Sequence, residues 1–156
     1  MKKMFGIISV FILSSVVPLY AIDVSQQWDK TYDIGGFSQA YSIQQTVDGG
    51  YVVAGSTGFD FNFLIMKLDY NGDIVWQNTY EDGIALSVQQ TLDRGYIVAG
   101  WNLKGSLVLR LDSSGAIIWQ KIYDDIFYVS IIQTHGGGFI MVGGVPFQRK
   151  VDRFRI

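Results

Sequence analysis

GGYVVAG (Gly49–Gly55), RGYIVAG (Arg94–Gly100) and GGFIMVG (Gly137–Gly143) are three spellings of one phrase. Their last glycines stand 45 and 43 residues apart. SIQQT (Ser42–Thr46), SVQQT (Ser87–Thr91) and SIIQT (Ser130–Thr134) precede them at a constant offset. LDYNGDIVW (Leu68–Trp76) and LDSSGAIIW (Leu111–Trp119) follow the first two. Each Trp opens a further phrase, WQNTY (Trp76–Tyr80) and WQKIY (Trp119–Tyr123). An earlier copy, WDKTY (Trp28–Tyr32), stands ahead of them all. Separated phrases that keep one register through three passes mark a structural repeat.

Each unit reads as four short strands. In the first they cover about Ala40–Thr46, Tyr51–Ser56, Phe63–Asp69 and Asp73–Tyr80. Val, Ile, Tyr, Phe and Thr fill the strands, while Asp, Asn, Ser and Gly fill the turns. The turn glycines supply the positive φ that tight hairpins need. FLIMKL (Phe63–Leu68) and SLVLRL (Ser106–Leu111) are apolar on nearly every position. Such strands are buried on both faces, between other layers. The expected fold is all-β: about three four-stranded antiparallel blades, packed face to face as in a β-propeller. The units run over about 37–80, 81–123 and 124–156, with an extra strand at 25–32. A parallel β-helix is the architectural rival, but its coils are usually shorter.

The third unit stops where strand four would begin. Gly55 to Leu68 and Gly143 to Ile156 both span 13 residues, so Phe154–Ile156 falls on Leu109–Leu111 and Arg155 on Arg110 and Lys67. The missing strand four has its copy in Trp28–Tyr32. The last blade is therefore expected to be completed by the N-terminal strand. Three blades are fewer than propellers usually have. That leaves an open stack, two chains sharing a six-bladed ring, or a truncated product of a longer repeat gene. Exposed sheet edges favour association, so self-association or another protein is the expected partner.

Residues 1–21 read as a secretory signal. Lys2 and Lys3 form a basic start, Met4–Val17 is mostly apolar, and Ala21 closes a cleavage region whose exact position is open. The apolar run is shorter than the roughly 20 residues of a spanning helix. The expected destination is the periplasm or the cell exterior, with no stable membrane insertion once the leader is cut. The chain has 156 residues, no Cys, one His and a net charge of −2. Thiolate metal sites, disulfides and paired imidazoles are excluded, and an acidic chain makes a poor nucleic-acid surface.

GGYVVAG followed by KLDYNGDIVWQNTY resembles a class of exported bacterial and archaeal repeat proteins. Their units run S-I-Q-Q-T-x-D-G-G-Y-I-V-A-G and then K-L-D-x-N-G-x-x-x-W-x-K-T-Y. The likeness extends from Trp28 to the C-terminus and implies a quinoprotein-like or WD40-like propeller. Asp69, Gly72 and Trp76, like Asp112, Gly115 and Trp119, are similar to the tryptophan-docking motif of quinoprotein alcohol dehydrogenases, with a turn one residue shorter. The resemblance implies a structural role for Trp28, Trp76 and Trp119 between adjacent blades. It implies fold more than activity.

Several phrases suggest chemistry. His135 before Gly136–Gly138 and Ser56 between Gly55 and Thr57 look like hydrolase elements. Both fall on repeat positions, and no helix follows Ser56. Asp69, Asn71 and Asp73 alternate as a calcium loop begins, but the closing Glu is missing. Arg149, Lys150, Arg153 and Arg155 form a basic cluster that is partly repeat register. Trp101 and Asn102, expected in the loop after strand two, and Asp124 and Asp125, expected on a rim loop, are the candidate ligand or partner residues. A glycan stacked on Trp101 is one candidate ligand. The expected function is a non-enzymatic exported repeat protein for binding or assembly, with no catalytic residue, metal or cofactor. A quinoprotein-type oxidoreductase is the enzymatic alternative, and a truncated product without independent function is the other.

Overall fold

The computed structural model describes residues 7–14, 25–124 and 126–144, and its described residues contain strands and turns but no helix. Strands β1 (Ile7–Ser14) and β2 (Ser25–Asp33) form an antiparallel pair. The first repeat is a four-stranded antiparallel sheet in sequence order, β3 (Ser38–Gln45), β4 (Tyr51–Thr57), β5 (Asn62–Leu68) and β6 (Ile74–Asp82). The second repeats it with β7 (Ile84–Gln90), β8 (Tyr96–Asn102), β9 (Gly105–Leu111) and β10 (Ile117–Tyr123). The third is present as the hairpin β11 (Phe127–Gln133) and β12 (Phe139–Gly144). Strand three of that unit would fall on 154–156, outside the described residues. The pairing expected between that strand and Trp28–Tyr32 lies there too. In the structure β2 pairs with Ile7–Ser14, inside the stretch read as a leader. Its Ile, Val and Phe content suits a strand, and β2 offers it an edge.

Turn chemistry explains the repeated glycines and the buried cations together. Asp48 follows β3, accepts from Thr46 Oγ1 at 2.5 Å, and pairs with Lys67 Nζ at 2.9 Å. Lys67 comes from buried β5 and lies under the start of β4. A Cβ on Gly50 would collide with the backbone oxygen of Leu68 as well as stand 2.6 Å from that Nζ, so no larger residue fits without a backbone shift. The second unit repeats the device with Asp93, Thr91, Arg110 and Gly95. In the third unit Gly136 replaces the aspartate.

Alternation decides which face of each strand meets which neighbour. Val52, Ala54, Phe63 and Ile65 of the first sheet pack against Val88, Tyr96, Val98 and Leu109 of the second. The second sheet's other face, Ile97, Ala99 and Val108, packs against Val129 and Ile131. The first sheet's remaining face, Val53, Leu64, Met66 and Leu68, is covered by Trp28 and Tyr32 of β2. Both central strands of each complete sheet are thus dry on both faces, as FLIMKL and SLVLRL require.

Two sets of polar contacts fix the spacing of the sheets. The first runs along strand one. Val88 N–H donates to Ser42 Oγ at 3.3 Å, Gln90 N–H to Gln44 Oε1 at 2.5 Å, and Val47 N–H to Gln90 Oε1 at 2.8 Å. One unit later, Ile131 N–H donates to Ser87 Oγ at 3.2 Å, Gln133 N–H to Gln89 Oε1 at 2.5 Å, and Leu92 N–H to Gln133 Oε1 at 2.9 Å. The S-I-Q-Q-T phrase is therefore a ladder in which one unit's side chains satisfy the free strand edge of the next. The second set runs along strand four. Trp28 lies over Gly72 and edge-on to Tyr51, and Trp76 lies over Gly115 and edge-on to Tyr96. Tyr32 Oη donates to Gly72 O and Tyr80 Oη to Gly115 O, each at 2.6 Å. β2 therefore docks on the first sheet as β6 docks on the second.

Candidate functional site

The link from the first sheet to the second is a single residue, Gly83. Its φ of 138° suits glycine, and a Cβ there would meet Phe63 and Asn102. Gly83 N–H donates to Phe61 O, which ties the link to the β4–β5 turn. Phe61 itself has φ 53°, one of two non-glycine residues with positive φ among the described residues. Side chains rarely tolerate that region. On the other side, Asn102 Oδ1 accepts from Lys104 N–H at 2.9 Å and shapes the turn that leaves Leu103 98% exposed.

These three segments enclose an open cleft of about 620 Å³ on the rim between the sheets, lined by Asp60, Phe61, Asp82, Ile84, Trp101 and Asn102, among others. A smaller hollow of about 410 Å³ adjoins it and shares Asp82, Asn102 and Leu103 with it. Asn102 is only 6% exposed, and its Nδ2 has no partner among the described residues. The carboxylates of Asp60 and Asp82 hold no hydrogen bond or ion pair among the described residues, whereas those of Asp48, Asp73 and Asp93 each pair with a cation. The cleft thus offers one amide donor, two carboxylate acceptors and an apolar wall.

Trp101 and Asn102 both line this cleft, but they lie on strand β8 itself and not in the loop after it. Trp101 is half-buried and packs edge-on against Phe127 at 6.0 Å. Asp124 is exposed beside Gly105 and does not line the cleft, and Asp125 lies outside the described residues. Asp82 takes the acidic role instead. Asp60 was not singled out from sequence. The available signal was Phe59-Asp60-Phe61, two aromatic residues in a loop whose repeat counterpart has none. Trp28 and Trp76 are half-buried, each over a turn glycine of the following sheet. Trp119 meets Phe139 at 6.2 Å but stays 39% exposed.

The other sequence candidates have local roles. Ser56 is buried within β4 and has no hydrogen-bond partner, while His135 is exposed on the β11–β12 turn. Asp69 accepts from the N–H groups of Asn71 and Asp73, both at 2.8 Å, and Asp73 pairs with Lys30 at 2.6 Å. Asp112 likewise accepts from Ser114 and Ala116. Its pKa is lowered by the Ser114 hydroxyl and the Ala116 N–H. Arg149, Lys150, Arg153 and Arg155 lie outside the described residues. No family model matches this chain, and no curated protein matches it.

Proposed function

We propose that this chain is an exported, non-enzymatic β-propeller-type repeat protein that works by binding, and that the rim cleft between its first two blades receives the ligand. The blade reading rests on face-to-face four-stranded sheets with a repeated ladder and repeated Trp docking. The single observation that carries the binding reading is a cleft that holds two carboxylates with no counter-ion among the described residues. Asn102, 6% exposed with its Oδ1 taken by Lys104 N–H, lies in the cleft beside Phe61 and the exposed carboxylates of Asp60 and Asp82, which pair with no cation among the described residues.

The two carboxylates set the ligand class. The cleft suits a cationic, partly apolar group, such as an Arg or Lys side chain of a peptide whose carbonyl accepts from Asn102. An ammonium or guanidinium group would meet Asp60 and Asp82, and its stem would lie along Ile84 and Leu103. Titration of the purified protein with an Arg-Leu dipeptide, an uncharged Ala-Leu control and neutral oligosaccharides tests this, read by Trp fluorescence and calorimetry. The Arg peptide should bind, weaken with salt, and lose at least tenfold on Asp82→Asn. Sugar binding without Arg-peptide binding would replace the ligand class. No response to any of them would sink the cleft as the site.

A further inference from the structure

The inter-blade ladder has a direction, and its two halves are unmatched at opposite ends of the stack. Ser and Gln side chains of one unit satisfy strand-one N–H groups of the next, and the next unit's fourth-position Gln reaches back to the turn of the one before. In the first unit Ile43 pairs opposite Val53 and Gln45 opposite Tyr51, the register in which Val88 and Gln90 lie opposite Val98 and Tyr96. The N–H groups of Ile43 and Gln45 therefore point off the sheet edge, and no side chain caps them among the described residues. Gln45 Oε1 likewise lacks the turn N–H that its counterparts Gln90 and Gln133 receive. At the other end Ser130, Ile132, Ile140 and Val142 face away from the second sheet and are exposed, with no described residue packed on them.

The covered and uncovered regions are complementary. On the first sheet β2 covers the outer half, as a strand four should; β1 reaches β3, yet Tyr41 and Ile43 stay half-exposed there. The third unit presents a strand one and a strand two, β11 and β12, with an open outer face. Among the described residues, no strand one or strand two stands in front of the first unit. Among the described residues, too, no strand pairing joins the first and third units.

We infer that copies of this chain associate head to tail, the outer face of β11–β12 of one copy seating on β3 of the next, so that β11, β12 and the next copy's β2 build one composite blade. The contact continues the two interfaces already inside the chain. Ser130 Oγ accepts from Ile43 N–H, as Ser42 and Ser87 accept one unit earlier. His135 N–H donates to Gln45 Oε1, as Val47 and Leu92 donate to Gln90 and Gln133. Ile132 stands where the other units carry Gln44 and Gln89, so the third rung becomes an apolar contact. Ile132 is 53% and Ile43 47% exposed in the single chain, and they meet across the joint. A head-to-tail contact closes into a ring or continues as a filament, according to its rotation.

Sedimentation velocity of the purified protein over a concentration series tests this inference. The expected result is reversible growth from a one-chain species. Ile132→Glu and Ile43→Lys alter half-exposed positions and should leave the circular dichroism unchanged. Each should raise the concentration needed for association at least tenfold. Gln45→Ala, milder still, should raise it severalfold. The double variant Ile43→Lys/Ile132→Glu should regain association, because Lys of one copy then faces Glu of the next. A one-chain species at every concentration overturns the inference. So does loss with Ile132→Glu but not with Ile43→Lys, which would indicate a two-fold contact between like faces. Failure of the double variant to recover overturns it as well. Asp82→Asn, which tests the rim cleft, should leave association unchanged.

Discussion

Arg94 occupies the turn position that Gly49 and Gly137 hold in the other units, and its φ of 68° lies in the same left-handed region as their 81° and 82°. A side chain in that region costs about 1–2 kcal/mol relative to the right-handed conformation. Arg94→Gly should therefore raise unfolding stability by roughly 1 kcal/mol, measured by urea titration, and the converse Gly49→Ala should lower it by a similar amount. An unchanged midpoint for Arg94→Gly would mean that the arginine makes a contact equal to its backbone cost. The aspartate one position earlier offers a second test. Partial burial pushes the Asp48 carboxyl up, but hydrogen bonds from Thr46, Lys67 and the Gly50 N–H, with the Lys67 charge, hold it down at about 2. The folded value lies below the ordinary 3.8. Its contribution is therefore complete above the unfolded pKa and is lost as pH falls through the folded one. Carboxyl carbon shifts should show Asp48 titrating near 2, and Lys67→Met should move it back toward its ordinary value. A titration near 3.8 in the unmodified protein would contradict the buried pairing.

At the scale of the element, strand four is the lock between units. Trp28 and Trp76 each lie over a turn glycine of the following sheet, and a Cβ on Gly72 would approach three carbons of the Trp28 ring within 2.8–2.9 Å. Trp119 has Phe139 but no turn glycine among the described residues. Truncating a fully buried Trp costs about 3–5 kcal/mol, and these rings are half-buried. Trp28→Ala and Trp76→Ala should cost about 2–3 kcal/mol, and Trp119→Ala at most about 1. Equal losses at all three, by chemical unfolding, would show that the third unit is packed like the others. The strands themselves were legible from sequence to within two residues, because phrase register averages over three copies and the apolar runs force two-sided burial. The partner of Trp28–Tyr32 was not legible. Many apolar strands can satisfy an open edge, and Ile7–Ser14 has the composition of a strand as well as of a leader. The cleft was half legible. Trp101 and Asn102 stand out because they break the repeat. Asp60 and Asp82 converge with them only through the Gly83 link and the turn at Phe61, a three-dimensional fact without a phrase of its own.

The stack as a whole depends on what lies beside β2. In each strand four an extra residue bulges near the Trp: Val75 in β6, Ile118 in β10, and one of Gln27 and Trp28 in β2. β1 thus meets β2 as β5 meets β6, in the place of a strand three. If export removes residues 1–21, β2 loses its strand partner and keeps only its docking contacts. These are Trp28 Nε1 to Tyr70 O at 3.2 Å, Tyr32 Oη to Gly72 O at 2.6 Å, and the Lys30–Asp73 pair, which is exposed and worth little. Docking holds the side chains but leaves one row of β2 amides open to water. Hydrogen exchange should therefore separate three states. In the full chain the β2 amides that bond to β1 should be protected. In a chain beginning at Ile22, kept dilute, the same amides should exchange fast while Trp28 stays docked, as its fluorescence would report. At concentrations where copies associate, protection should return, because the composite blade brings a new neighbour to that edge. Fast exchange at all concentrations would leave β2 as a docked strand with an open edge, and the joint between copies would then rest on the strand-one ladder alone. Full protection in the dilute Ile22 chain would mean that its own C-terminal segment pairs with β2 and completes the last blade within one molecule.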